Sequence, residues 1–284
     1  MANFSLAPSV LFTPANKPER FAKGIAMGAT GIIIDLEDSV GLSEKESARK
    51  IAFDYLKEKR DDKAIILLRI NSIDTQAGLA DLLALSQTAL PGCDGIVHPK
   101  TESAAALSII DNILTTYQTR KPLFAIIETS IGVARIDKIA KSKAIAGLMF
   151  GAADYTVSAR CELSARGLLF ARSKIANAAA MQQLACYDSP YFDFHNEAGL
   201  SEETDSIKSL GFTGKLAIHP NQIATINHTF TPSKEQYADA KAIIKLYDDA
   251  KGSACQYKGK MIDVPIYKLA KRTVMLYETL ALNA

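Results

Sequence analysis

The sequence predicts an α/β protein of the (β/α)₈ TIM-barrel type, followed by a C-terminal helical extension. Eight short apolar runs alternate with longer helical patterns, as a closed parallel sheet requires. The 284-residue length suits one barrel of about 250 residues and a tail. The Gly-rich dinucleotide fingerprint of a doubly wound open sheet is absent.

The first run, 9–13, precedes a helix over 18–27, with Pro18 suited to the first turn. Gly31–Asp35 is a buried strand by its β-branched content. Ser43 and Glu46 read as a capping box opening a helix to about Lys59. Strands follow at 64–70, 94–97, Leu123–Ile127 and Ile145–Phe150, with helices at 76–85, 102–117 and 131–141 between them. The alanine-rich stretch 167–185 is helical, and 187–192 is a weak seventh strand interrupted by Pro190. A helix over 202–210 leads to the eighth strand, 215–218. Residues 1–230 are thus the catalytic barrel, and 231–284 an extension that serves as a lid or oligomer contact. Within it Ser233 and Gln236 form a second capping box, 252–265 is linker-like, and a last helix spans about 266–280.

Apolar residues make up 48% of the chain and charged residues 23%, enough to fill a large core. The net charge of +2, without a basic run, gives no footprint for nucleic acid or a membrane surface. Cysteines at 93, 161, 186 and 255 form no C-x-x-C pair, which fits a reducing, cytoplasmic setting. The N-terminal residues lack a signal-peptide pattern, and no apolar run is long enough to span a membrane.

Barrel active sites form where the C-terminal strand ends converge. Here those ends carry Asp35-Leu36-Glu37-Asp38, Arg69-Ile70-Asn71, His98-Pro99-Lys100, Glu128-Thr129, Gly151-Ala152-Ala153-Asp154 and His219-Pro220. Glu128 and Asp154 follow adjacent strands, so both can reach one cation, and two carboxylates with substrate oxygens suit Mg²⁺. Equally, each can cap a helix N-terminus. Arg69 leaves an apolar strand, where a guanidinium can grip a substrate carboxylate or serve in an ion pair with Glu37 or Asp38. Asp35 reads best as an orienting partner of Arg69 or Lys100. Lys100 can act as a Schiff-base lysine, but carboxylates of metal-binding type nearby favour an electrostatic or structural role. His98 and His219 precede prolines and read as hydrogen-bonded turn residues.

In order along the chain stand Leu11-Phe12-Thr13-Pro14, Asp35-Leu36-Glu37-Asp38-Ser39-Val40, Arg69-Ile70-Asn71, Pro99-Lys100 and Ile126-Ile127-Glu128-Thr129. Phe150-Gly151-Ala152-Ala153-Asp154, Gly214-Lys215-Leu216-Ala217-Ile218-His219-Pro220-Asn221-Gln222 and Asp263-Val264-Pro265 complete the set. Together they resemble the citrate lyase beta subunit and malyl-CoA lyase branch of the HpcH/HpaI aldolase family, over nearly the whole chain. The resemblance implies Mg²⁺ held by Glu128 and Asp154, and Arg69 on the carboxylate of an oxo acid. It also implies contacts to coenzyme A from Phe12, Lys17 and Lys23. A homotrimer or dimer of trimers is implied too, with the C-terminal segment over a neighbour's site. Ala15 stands where many members have Gly, and Asp193-Phe194-His195-Asn196 departs from the shorter acidic pattern expected there.

The expected reaction is a retro-Claisen-type cleavage of a 3-hydroxy-carboxyacyl thioester into a 2-oxo acid and acetyl-CoA. Arg69 and Asp263 are the candidate catalytic residues; Glu37, Asp38 and Lys100 support them. Asp263 is read as a lid carboxylate that moves a proton, with helix capping as the simpler alternative. One form is a free-standing lyase acting on citramalyl-CoA or malyl-CoA. A second is a citrate lyase beta subunit, working with other lyase subunits on a citryl group carried by an acyl carrier protein. A third, of another class, is an inactive barrel serving as a scaffold or ligand-binding protein. A phosphoenolpyruvate-type barrel enzyme would need a phosphate-binding Gly loop, which is not evident.

Overall fold

A strand covered on both faces needs apolar side chains at nearly every position. Gly31–Asp35 (β2), Ile65–Arg69 (β3) and Leu123–Ile127 (β5) meet that demand, since every residue in them is buried. The computed structural model, which describes residues 4–58 and 63–280, joins them to Ser9–Pro14 (β1), Gly95–His98 (β4), Ile145–Phe150 (β6), Ala185–Asp188 (β7) and Gly214–Ala217 (β8). The eight strands form a closed barrel in chain order, all neighbours parallel, and β8 closes on β1 with Val10 opposite Leu216. The interior is filled by side chains, among them Ile33, Leu67, Phe124, Met149 and Leu216. Phe4 meets the edge of Phe124 with ring centroids 4.9 Å apart.

The helices linked to the barrel strands are Glu19–Ala26 (α1), Lys45–Leu56 (α2), Gln76–Gln87 (α3), Ala104–Thr116 (α4), Ser130–Ala134 (α5), Ile136–Ala140 (α6), Ala152–Ala159 (α7), Ala165–Met181 (α8), Glu197–Leu210 (α9) and Gln222–Phe230 (α10). Thr75, Ser103, Thr129, Ser164 and Asn196 cap α3, α4, α5, α8 and α9, each accepting a backbone N–H three residues on.

Several details differ from the sequence reading. Ser43 does not cap: a 3₁₀ turn, Leu42–Glu44, leads into α2, whose N-cap position is Glu44 with no side-chain cap bond. The helix ends at Leu56, and Lys59 lies outside the described residues. The expected helix over 131–141 is two short ones that break at Arg135. The seventh strand is Ala185–Asp188, so Pro190 and Phe192 belong to the loop beyond it. The helices α7 and α10 were not anticipated.

The chain forms two compact units, the first ending at Ile226 and the second beginning at Asn227. The second contains Lys234–Asp249 (α11), Cys255–Tyr257 (β9), Lys260–Ile262 (β10) and Val264–Leu280 (α12). Its Ser233–Gln236 capping box forms as expected. The stretch read as a linker is a hairpin, with Lys258 and Gly259 at φ 46° and 78°. Those angles suit a tight two-residue hairpin turn, and Gly259 takes its share without cost. No described helix is long and apolar enough to cross a membrane.

Candidate active site

Arg69 ends β3 with its side chain only 9% exposed, and a buried guanidinium needs partners. Asp35, directly opposite in the β2–β3 register, supplies them bidentately: Nε donates to Oδ1 at 2.6 Å and Nη2 to Oδ2 at 2.7 Å. Burial alone would raise the Asp35 pKa, but the bonds and charge of Arg69 outweigh it and hold the carboxyl below its ordinary value. Nη1 also lies 2.8 Å from Glu37 Oε2 and 3.4 Å from Asp38 Oδ2. Phe12 packs beneath the guanidinium, its ring centroid 4.8 Å from Cζ.

Glu37 bridges Arg69 to the Lys100 ammonium, which forms a very short contact with it. Lys100 sits in the left-handed region at φ 48°, a strained backbone for a residue with a Cβ. That backbone lets its N–H donate to Glu128 Oε1 at 2.6 Å. His98 is a turn residue, as expected: Nε2 accepts from the Ile73 N–H at 3.4 Å, and Nδ1 is 2.8 Å from Thr101 Oγ1. Burial pushes its pKa down to about 4, so the ring is neutral at ordinary pH.

Glu128 follows β5 and is 3% exposed. Burial first, with the charge of nearby Asp154 adding to it, pushes its pKa up to about 7. Asp154 lies in the first turn of α7 and is exposed. Gly151 marks how tightly β6 approaches: a Cβ there would stand 2.4 Å from Glu128 Oε2. Two carboxylates that line one cavity, with no cationic side chain bonded to either among the described residues, fit a small divalent cation of oxygen-loving type. The pair would hold it, with the remaining positions left to substrate oxygens and water.

A cavity of about 360 Å³ at the strand ends joins these groups, lined by Phe12, Arg69, Glu128, Phe150, Asp154 and Leu216 among others. Lys17 and Lys23 are exposed and do not line it, and Asp263 lies in the second unit. The Asp263 side chain accepts from the Ile266 N–H at 3.2 Å, the bond of a helix N-cap on α12.

Sequence reasoning did not single out Lys45. It lies at the start of α2, and its Nζ donates to the carbonyls of Leu36 and Glu37, both at 2.7 Å. It thereby fixes the backbone of the loop whose side chains hold Arg69. Lys45→Met is expected to raise KM about tenfold with a smaller change in kcat, whereas Lys45→Arg restores most of it. Equal KM values for Lys45→Met and wild type would remove this positioning role.

The raised pKa of Glu128 predicts how the stability of the metal-free protein varies with pH. A carboxyl whose folded pKa is raised stabilises the fold fully below its unfolded value of 4.5, and loses that contribution as pH rises through about 7. The shift corresponds to something on the order of 3 kcal/mol. Glu128→Gln is therefore expected to gain stability over wild type between pH 5 and pH 8 in EDTA. Parallel pH profiles in denaturant titrations would contradict this.

A family model described as HpcH/HpaI aldolase/citrate lyase matches residues 8–220. The chain belongs to that family. A second model, for carbon–carbon bond lyases of the TIM-barrel fold, matches 170–279. The citrate lyase subunit beta of Haemophilus influenzae is 33% identical, over 94% of this chain and 95% of its own. The L-malyl-CoA/beta-methylmalyl-CoA lyase of Cereibacter sphaeroides is 30% identical, over 95% and 94%. The structure of CitE from Mycobacterium tuberculosis, in complex with magnesium, acetoacetate and coenzyme A, superposes with a TM-score of 0.80 at 29% identity, covering 95% of this chain and 98% of that one. This family member is a carbon–carbon lyase, and the relatives' names divide between citrate and malyl-CoA or beta-methylmalyl-CoA.

Proposed function

We propose that the protein is a Mg²⁺-dependent lyase that cleaves a 3-hydroxy-carboxyacyl-CoA thioester, of the citramalyl-CoA or malyl-CoA type, to a 2-oxo acid and acetyl-CoA. The observation that carries this reading is one cavity uniting the Arg69 guanidinium with the Glu128 and Asp154 carboxylates. The substrate carboxylate pairs with the Arg69 N–H groups that Asp35 leaves over. Glu128 and Asp154 hold the metal, which when bound supplies Lewis-acid polarisation. A base removes the hydroxyl proton, the carbon–carbon electron pair passes to the thioester α-carbon, and an acid protonates that carbon. Phe12, Lys17 and Lys23 are proposed to bind coenzyme A. The protein is proposed to act in the cytoplasm, in keeping with its four free cysteines. Incubation with Mg²⁺ and a panel of malyl-, citramalyl- and citryl-CoA, with the oxo acid identified, tests the reading. No cleavage of any of the three would defeat it.

The second reading is a citrate lyase beta subunit acting on citryl-acyl carrier protein, favoured by the identity to that subunit over nearly the full length. Turnover of citryl-acyl carrier protein in preference to every CoA thioester would establish it. Loss of all Mg²⁺ binding and all thioester turnover in the wild type would leave an inactive scaffold.

Asp263 is proposed as the acid that serves the thioester carbon, in a homotrimer or dimer of trimers where it reaches a neighbouring subunit's site. Its N-cap bond makes the test sharp, because Asn caps a helix as well as Asp does. Asp263→Asn is expected to keep its melting temperature and substrate binding while kcat falls about 100-fold or more. Unchanged kcat would leave Asp263 a cap only. Mixing Asp263→Asn with Glu128→Ala subunits is expected to restore part of the activity if the site is shared between chains.

A further inference from the structure

On the β7 and β8 side, the cavity wall stands beyond the strand ladder. β7 makes its last pair at Asp188 and β8 at Ala217. Pro190, Phe192 and Ile218, which line the cavity, follow on the outgoing loops. Peptide groups there need other partners, and Pro190 has no N–H to offer. Side chains take the place of the ladder. Lys215 Nζ donates to the Ser189 carbonyl at 2.7 Å, and Gln222 Nε2 to the Tyr191 carbonyl at 2.6 Å, so both carbonyls flanking Pro190 are held. Gln222 Oε1 meanwhile accepts the N–H groups of Ile218 and His219, at 2.9 and 3.2 Å. A carbonyl only accepts and an N–H only donates, so these partners fix which end of the Gln222 amide is oxygen. The residue is 1% exposed and bridges two loops as an inserted peptide group would. Tyr191 is pinned at its other end too: its hydroxyl accepts from Asn196 Nδ2 at 3.2 Å, and a Cβ on Gly199 of α9 would collide with it.

We infer that Gln222 is a positioning residue, whose buried amide holds Pro190 and Phe192 of one loop and Ile218 of the next in place as the apolar wall of the substrate cavity. The inference rests on the lyase reading above and deepens it. Gln222 does not itself line that cavity and acts through Tyr191 and Ile218. An apolar wall contacts substrate and transition state alike, so loosening it shows in KM rather than in kcat.

Two variants separate the bonds. Gln222→Met loses all three. Gln222→Glu keeps an acceptor for Ile218 and His219 but sets an oxygen against the Tyr191 carbonyl. The test uses the full-length chain with Mg²⁺ and whichever of malyl-, citramalyl- and citryl-CoA the wild type turns over best. Each variant is expected to raise KM about tenfold or more, with kcat within about threefold and the Mg²⁺ binding heat unchanged. In a Phe192→Ala background, Gln222→Glu is expected to add less than about threefold to KM, because part of the wall it positions is already gone. A full tenfold in that background would overturn the inference. So would unchanged KM in either variant, or kcat and Mg²⁺ binding falling together with KM, which would make Gln222 a residue of general stability. Should Gln222→Met not fold, Gln222→Glu and its Phe192→Ala pair decide the matter. If the wild type cleaves no thioester, the lyase reading fails by itself, and hydrogen exchange decides the inference. Exchange at residues 191–195 is then expected to quicken about tenfold in both variants, and at Ile218 and His219 in Gln222→Met alone. Wild-type exchange rates across both loops in either variant would overturn it.

Discussion

Arg69→Lys is expected to lower kcat/KM by roughly 2–5 kcal/mol of transition-state stabilisation, even though the charge is kept. The reason is geometric. A lysine ammonium is a point charge and cannot grip Asp35 with two parallel bonds while offering further donors to a substrate. In the wild type, Asp35 fixes the guanidinium along its Nε and Nη2 edge and Phe12 packs against its face, which leaves the remaining donors held in place. Arg69→Met goes further. It strands Asp35, 1% exposed, without its cation, and breaking one side of such a pair costs about 3–5 kcal/mol of stability. The two variants therefore separate roles: Arg69→Lys mostly lowers kcat/KM, and Arg69→Met lowers both activity and the denaturation midpoint. Near-normal kcat/KM in Arg69→Lys would make Arg69 a structural residue only.

Glu128→Gln and Asp154→Asn are each expected to abolish Mg²⁺-dependent cleavage and to remove most of the Mg²⁺ binding heat in calorimetry. Neither substitution empties a packed space. Glutamine keeps an oxygen to accept the Lys100 N–H, and Asp154 is exposed, so stability should change by about 1 kcal/mol or less for Asp154→Asn. Gly151→Ala should imitate the first variant while both carboxylates are kept in the sequence, because its methyl group would collide with Glu128 Oε2. Undiminished turnover by EDTA-treated protein would overturn the metal assignment, whatever the variants do.

The barrel was legible because most of its strands are β-branched or uniformly apolar: Gly31–Asp35, Leu123–Ile127 and Ile145–Phe150 begin and end where the sequence placed them. The seventh strand was misplaced because Ala185-Cys186-Tyr187-Asp188 has no β-branched residue and continues an alanine-rich run. The hairpin at 255–262 was hidden for a related reason. Its turn is Lys-Gly rather than Asn-Gly, and its strands are three residues each. At the site, charged residues just after apolar strands could be placed at one end of the barrel from spacing alone. The sequence also favoured Asp35 as an orienting partner, and the structure pairs it with Arg69. Lys45 could not be found this way, because its targets are backbone carbonyls and those leave no mark in a sequence. Nor could the apolar wall, assembled from loops and strand interiors far apart in the chain.

A second charged cluster joins β7 and β8, and none of its members lines the cavity. Asp188 accepts from Arg172 at 2.9 and 3.0 Å and from Lys215 at 2.6 Å, and Glu203 joins both cations at 3.0 and 2.7 Å. It straddles the seam with the fewest paired residues, Tyr187 with Gly214 and Asp188 with Lys215. A barrel escapes intermolecular sticking only while every seam is shut, because an open seam offers two raw strand edges to other chains. The Asp188–Lys215 ion pair ties that seam across its two strands. Damage to it would surface as loss of soluble protein during expression and refolding, with the catalytic groups on the far side of the strands unaltered in every molecule that still closes.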